Sequence, residues 1–128
     1  MKFEVILEKL DNEVFGRIEN DLAGLVVSSG KTINELKANL LEALELHFEA
    51  NDEKIDLSKV EFIYKYDIQT FFEEFNFLKI NAIAKEAHMN ASLLRRYKMG
   101  DAHPSDKQKK RIEIAVHSLA HKILTASL

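Results

Sequence analysis

The amino-acid sequence predicts an α+β protein: a small antiparallel sheet with one packed helix, in the order β-β-β-α-β, followed by an all-α unit. Three observations predict it. Near the N-terminus apolar and polar residues alternate, which is the strand period, and from Thr32 and again beyond Asp67 apolar residues recur at three- and four-residue steps, which is the helical one. Charge divides along the chain in the same way. Residues 1–78 hold 8 Lys/Arg and 17 Asp/Glu, a balance of −9, whereas residues 79–128 hold 10 and 4, a balance of +6, and the two sum to the −3 of the whole. An acidic part joined to a basic part implies that one meets a polyanion and the other does not.

In the first strand, KFEVILE, Phe3, Val5 and Leu7 share one face, Glu4 and Glu8 the other, and Ile6 breaks the alternation. Asp11-Asn12-Glu13 reads as a hairpin turn into a second strand, Val14 to Glu19. Asn20-Asp21 interrupts, Gly24 precedes a third strand from Leu25 to Ser29, and Gly30 closes it. Three strands on short connections imply an antiparallel meander. Thr32 and Glu35 then form an S/T-x-x-E capping box, in which each side chain closes a backbone N–H of the first helical turn. Ile33, Leu36, Leu40, Leu44 and Phe48 continue it as an apolar stripe to about Ala50, where Asn51-Asp52-Glu53 stops it. A last strand, Val60 to Lys65, sets Val60, Phe62 and Tyr64 against Glu61, Ile63 and Lys65.

The predicted boundary lies near Tyr66-Asp67, dividing the chain into 1–66 and 67–128. Phe71, Phe72, Phe75 and Leu78 mark a first helix of the second unit. Residues 79–111 then have the spacing of a helix-turn-helix. Ala84 is the small residue that lets two helices cross closely, His88 stands at the turn, and Met89, Leu94 and Tyr97 are the apolar pegs. Asn90 is placed to cap the second helix and Gly100 to end it in a left-handed conformation. Pro104 introduces a final helix with a second capping box, Ser105 to Gln108, and a buried stripe of Ile112, Ala115, Val116, Leu119 and Ile123. The chain shows no internal repeat and no low-complexity tract.

Composition excludes several classes. An apolar content of 46% supports a real core, and the absence of cysteine removes disulfides and thiolate metal sites and makes an intracellular, cytoplasmic setting the expectation. MKFEVILEKLDNE places carboxylates inside its apolar run, so neither a signal peptide nor a membrane span is expected there. No Ser/His/Asp set, glycine-rich phosphate loop or nucleotide fingerprint appears, and no cofactor is expected. Glu113, His117 and His121, at four-residue steps, have ligand-like spacing, but a solvated face or helix seam is the expected role, and no metal site is predicted. Glu4, Glu8, Asp11, Glu13, Glu19 and Asp21 fall on the polar side of strands or in turns, as on a solvated sheet face, so a two-metal nuclease is not expected.

The candidate interface is with nucleic acid. Asn90, Ser92, Arg95, Arg96 and Lys98 lie on the second helix of the motif, where hydrogen-bonding and cationic side chains meet base edges and phosphates in a major groove. Arg95 is the first choice for bidentate guanine readout. Lys107, Lys109, Lys110 and Arg111 open the final helix, where cations oppose the helix dipole and only Asp106 relieves them. A phosphate at that helix start would reverse the sign, so these four are read as backbone-positioning contacts.

Both halves resemble known families. Asp21-Leu22-Ala23-Gly24, Gly30, Thr32, Glu35 and Glu42-Ala43-Leu44 resemble the core of HicB-type antitoxins, whose N-terminal domain is a degenerate, non-catalytic ribonuclease-H-like fold; Ala23 stands where that family usually has proline. The second half is similar to lambda-repressor-like helix-turn-helix domains, which those antitoxins often carry, with His88 where glycine is most frequent. The resemblance implies an antitoxin of a type II toxin–antitoxin pair. Its N-terminal domain would neutralise a small, basic, HicA-like RNA-cleaving toxin, and its helix-turn-helix would bind operator DNA and repress its own operon. It further implies a homodimer or higher homo-oligomer. The alternative is a stand-alone DNA-binding regulator whose N-terminal domain only oligomerises or senses a ligand.

Overall fold

In β1 (Lys2–Leu10) the strand period turns Phe3, Val5 and Leu7 inward and leaves Lys2, Glu4 and Glu8 exposed. The computed structural model describes residues 1–18 and 24–128. Asp11 and Asn12 join β1 to β2 (Glu13–Ile18) with φ of 47° and 65°, the pair of positive values that a tight two-residue hairpin requires and that Asp and Asn tolerate. The strand β3 (Val26–Gly30) pairs with the other side of β2. The interruption expected at Asn20-Asp21, the Asp21-Leu22-Ala23 part of the antitoxin-like motif, and Glu19 lie outside the described residues.

Helix α1 (Ile33–Ala50) begins where Thr32 accepts a hydrogen bond from the Glu35 N–H at 3.1 Å, one half of the expected box. Leu36, Leu40 and Leu44 are fully buried against Val5, Ile18 and Val26, with Ile33 and Phe48 packed at the rim. Asn39 donates to the Ser29 carbonyl at 2.7 Å, so a helix side chain occupies one acceptor of β3. A single 3₁₀ turn (Leu57–Lys59) leads into β4 (Glu61–Lys65), whose Phe62 and Tyr64 lean on the core while Glu61, Ile63 and Lys65 face solvent.

The sheet departs from the expected antiparallel one. Its four strands run β3-β2-β1-β4, and β4 pairs with β1 in parallel, Phe3 beside Phe62 and Val5 beside Tyr64. The reason is the helix. β3 runs parallel to β1, and one helix returns the chain to the end of the sheet from which β3 started. The next strand therefore enters in the direction of β3, beside β1, by a crossover rather than a hairpin.

The chain divides into two compact units, Met1–Asp67 and Ile68–Leu128, each with its own core. The second is all helical: α2 (Ile68–Glu74), α3 (Ile80–Ala87), α4 (Ala91–Met99) and α5 (Asp106–Leu124). Its core gathers Phe72, Ile83, Ala84, Leu94, Tyr97 and Ile112. Two expectations are corrected. Helix α2 stops at Glu74, so Leu78 packs on the core from the turn that follows it, and Phe75 lies in that turn against the Phe71 ring, 4.9 Å between centroids. In α5 the stripe packed on the core ends at Leu119, and Ile123 lies outside that core and is 65% exposed, although its neighbour Lys122 reaches Glu86 of α3. No described helix is long and apolar enough to cross a membrane.

Gly30 joins the sheet to the helix at close quarters. A Cβ there would lie 2.5 Å from the Leu36 nitrogen and 2.9 Å from the Glu35 carbonyl carbon, both backbone atoms that cannot rotate away. Gly30→Ala is therefore expected to destabilise the first unit by about 1–3 kcal/mol, the usual cost of overpacking. Urea denaturation followed by far-UV circular dichroism measures it, and an unchanged midpoint would contradict the close approach.

Candidate nucleic-acid interface

The α3–α4 connection is built from three residues. Ile83, Ala84 and Ala87 bury one face of α3, and the helix ends at His88, whose φ of 55° and ψ of 45° are left-handed. The His88 N–H donates to Lys85 at 3.3 Å and the Met89 N–H to Ala84 at 2.9 Å, the bond pair of a Schellman stop, with Met89 packed on the core as its apolar contact. Asn90 then starts α4, accepting from the Ser92 N–H at 2.8 Å. A second stop of the same kind ends α4: Gly100 has φ 81°, and Asp101 N–H donates to Arg96 at 2.9 Å. Both caps follow from the residue types. Asn accepts from orphan N–H groups through a short side chain, and Gly takes a positive φ without a Cβ clash.

Helix α5 holds this pair from behind. The Arg111 Nη2 donates to the Ala87 and His88 carbonyls, both at 2.9 Å, placing a cation where the dipole of α3 is negative. The Tyr97 hydroxyl, on the buried side of α4, donates to Gln108 Oε1 at 2.8 Å. The same oxygen accepts from the Ser105 N–H at 3.1 Å, while Ser105 Oγ accepts from the Gln108 N–H at 3.2 Å. Gln108 thus closes the expected capping box and anchors α4 at once. Further along, Glu86 of α3 accepts from Ser118 Oγ at 2.7 Å and pairs with Lys122 at 3.2 Å. The Ser118 hydrogen bond, followed by the Lys122 ammonium, holds its carboxyl below the ordinary glutamate range.

The outward face of α4 carries Ser92, Arg95, Arg96 and Lys98, all exposed, while Leu94 and Tyr97 face the core. Arg95 is not free: its Nη2 donates to Asn81 Oδ1 of α3 at 2.6 Å, so the guanidinium is steered toward the first helix. Asn81 is a polar residue of this face that sequence reasoning did not single out; its only signal is its exposed position at the start of α3. At the start of α5, Lys107, Lys109 and Lys110 are exposed, and Lys110 lies 3.5 Å from Glu113. Lys107 and Lys109 have no acidic partner among the described residues. Arg111 differs from the expected phosphate contact in that its Nη2 faces the carbonyls of the α3–α4 turn.

Among the described residues no group of His, Asp and Glu is arranged to hold a metal ion, the Glu113, His117 and His121 face included. Glu4 of the first unit pairs with Lys65 across the sheet at 3.6 Å. Compared with protein-family models, with curated proteins and with solved structures, the chain gives no match.

Two outcomes test how the interface is held. Arg111→Ala removes hydrogen bonds from a charged donor at a partly exposed site and is expected to cost about 1–2 kcal/mol in thermal or urea unfolding of the second unit; Arg111→Lys, with one point charge for a planar fork, should recover only part. Glu86→Gln tests the second link through pH. A carboxyl whose pKa is depressed on folding contributes stability that is full above its unfolded pKa and is lost as pH falls through the folded one. The variant should therefore melt below the parent at neutral pH and converge with it in acid. A difference that persists at low pH would show that charge at Glu86 is not the cause.

Proposed function

We propose that residues 68–128 form a helix-turn-helix that binds operator DNA, with α4 as the recognition helix. One observation carries this reading. α4 is capped at both ends and seated through Leu94 and Tyr97, so that Ser92, Arg95, Arg96 and Lys98 are presented outward from a fixed frame. Side chains at such a helix reach base edges in a major groove, and a planar guanidinium matches the two acceptors of guanine. Lys107, Lys109 and Lys110 at the neighbouring helix start supply phosphate contacts that position the domain. The +6 balance of residues 79–128 supports the same polyanionic partner. A single motif of this kind makes too few contacts for tight specific binding, so a homodimer on a pseudo-palindromic site is part of the proposal.

The whole chain we read as an antitoxin and autorepressor. Its first unit would neutralise a small, basic, RNA-cleaving toxin, for which the antitoxin-like motifs and the −9 balance of residues 1–78 speak. The protein itself has no catalytic role in this reading and acts in the cytoplasm. Co-expression with the neighbouring gene and pull-down separates this from a stand-alone regulator: a stoichiometric complex with a small basic protein supports the antitoxin, and its absence with intact DNA binding supports the regulator.

Gel shifts on the DNA upstream of the gene, at several salt concentrations, test the DNA contact. The logarithm of affinity should fall with the logarithm of salt at a slope of about −0.9 per phosphate contacted. Lys107→Ala and Lys109→Ala should each flatten that slope by about one contact and weaken all sequences alike. Arg95→Ala or Arg96→Ala should cost about 1–3 kcal/mol and relax discrimination at one base pair. A binding signal insensitive to salt, or no signal, would end the proposal.

A further inference from the structure

The β4 edge of the sheet ends on five residues, Glu61-Phe62-Ile63-Tyr64-Lys65, that read almost the same in both directions by chemical type: acid, aromatic, isoleucine, aromatic, base reversed in charge. β4 pairs with β1 on one side only, and among the described residues no other strand lies beyond it. The opposite edge is different, because Asn39 occupies the Ser29 carbonyl of β3. From these observations we propose that β4 pairs antiparallel with β4 of a second copy of this chain about a two-fold axis at Ile63, joining two four-stranded sheets into one.

The register follows from the backbone. The Glu61 N–H donates to the Met1 carbonyl at 2.8 Å, so residue 61 points its polar groups toward β1. Backbone direction alternates along a strand, so Ile63 and Lys65 do the same, whereas Phe62 and Tyr64 turn their N–H and C=O groups to the open edge. A two-fold axis at Ile63 sets Phe62 of each copy opposite Tyr64 of the other. Each such pair exchanges two hydrogen bonds, giving four in all and using the groups that are free. Ile63 then meets its own symmetry mate in the close, non-hydrogen-bonded type of pair, which suits two apolar side chains.

Charge selects the same register. Glu61 falls opposite Lys65 of the second copy on the solvent face of the sheet, and Lys65 opposite Glu61, so both end pairs are attractive. A slip of two residues would lose both pairs, and a slip of one would put outward groups against inward ones. Glu4, 3.6 Å from Lys65, stays beside the new pair as a third charge. Ile63, 53% exposed in the single chain, becomes covered at the axis. In the paired sheet Phe62 and Tyr64 form two cross-strand aromatic pairs on the inner face, the face on which both already pack against the core.

An edge of five residues buries less than the roughly 1,200 Å² of a standard stable interface, so the pairing should depend on concentration. It supplies a two-fold axis for the proposed DNA-binding dimer, yet its test involves no DNA and stands or falls separately.

The chain has no native cysteine, so Ile63→Cys carries a single thiol. Opposed Cα atoms in a non-hydrogen-bonded pair lie about 4.5 Å apart, within the range a disulfide spans. Under mild oxidation Ile63→Cys should form a disulfide-linked dimer many-fold faster than Val27→Cys, an exposed thiol on the far strand β3. Analytical ultracentrifugation of the unmodified chain should show a concentration-dependent dimer, shifted toward monomer by Ile63→Lys, with circular dichroism confirming the fold. Equal cross-linking at both positions, or a dimer that Ile63→Lys leaves intact, would overturn the proposal. So would a chain that stays monomeric while its β4 edge captures a different protein.

Discussion

The joint at His88 is where the second unit is either held or lost. A nine-residue helix such as α4 does not persist alone, because nucleation costs more than so few hydrogen bonds return. Its direction depends on the two left-handed stops at its ends and on Leu94 and Tyr97 between them. The stop at His88 is the costlier one: a non-glycine residue in that conformation gives up about 1–2 kcal/mol. Three contributions offset it here, namely the paired Schellman bonds, the packing of Met89, and Arg111 on the carbonyls of Ala87 and His88. The inward face and the caps position α4, and among the described residues the side chains of Ser92, Arg96 and Lys98 make no hydrogen bond or ion pair. That division of labour is what a recognition surface needs, since its side chains can then answer to a ligand rather than to the fold.

A comparable constraint governs the first unit, where one helix covers one sheet face. Leu36, Leu40 and Leu44 are buried without remainder, while the other face of the sheet stays in water and keeps charged residues such as Glu4, Glu8 and Lys65. An 18-residue helix is about 27 Å long at 1.5 Å per residue, longer than a five-residue strand, so it returns the chain the full height of the sheet. The last strand must then run parallel to its neighbour. In consequence β4 sits at an edge beside the first strand of the chain, instead of being folded back onto β3.

Local chemistry was legible in the sequence wherever a few neighbouring residues decide the outcome. Asp11-Asn12 as a hairpin, Thr32 and Asn90 as caps, Ser105 with Gln108 as a box, and Gly100 as a stop each depend on side chains within four residues of the group they satisfy. Burial periods were equally readable, from Phe3 to Leu7 and from Leu36 to Leu44. What could not be read was chemistry between distant residues. The parallel entry of β4 depends on helix length against strand length, the exposure of Ile123 on how far along α5 the core extends, and the role of Arg111 on a carbonyl pair more than twenty positions earlier. Arg95 shows the same limit: the sequence offers a free guanidinium, and the fold gives it Asn81.

Arg111 also changes what the basic run at the α5 start has to explain. Four cations against a helix dipole look like a cost that only a polyanion could repay. With Arg111 turned to the α3 C-terminus and Lys110 beside Glu113, the uncompensated charge is that of Lys107 and Lys109, with Asp106 and the capping box at the same helix start. Two phosphate contacts would position a domain but bind it weakly, so in the proposed DNA-binding reading affinity would have to come from α4 and from a second copy. Only Tyr66 and Asp67 separate the end of β4 from the start of α2. The proposed pairing at β4 would therefore carry a second helical unit with it. In the proposed DNA-bound dimer it would convert the second DNA contact into an intramolecular one, whose gain depends on how well the linkage matches the spacing of two half-sites.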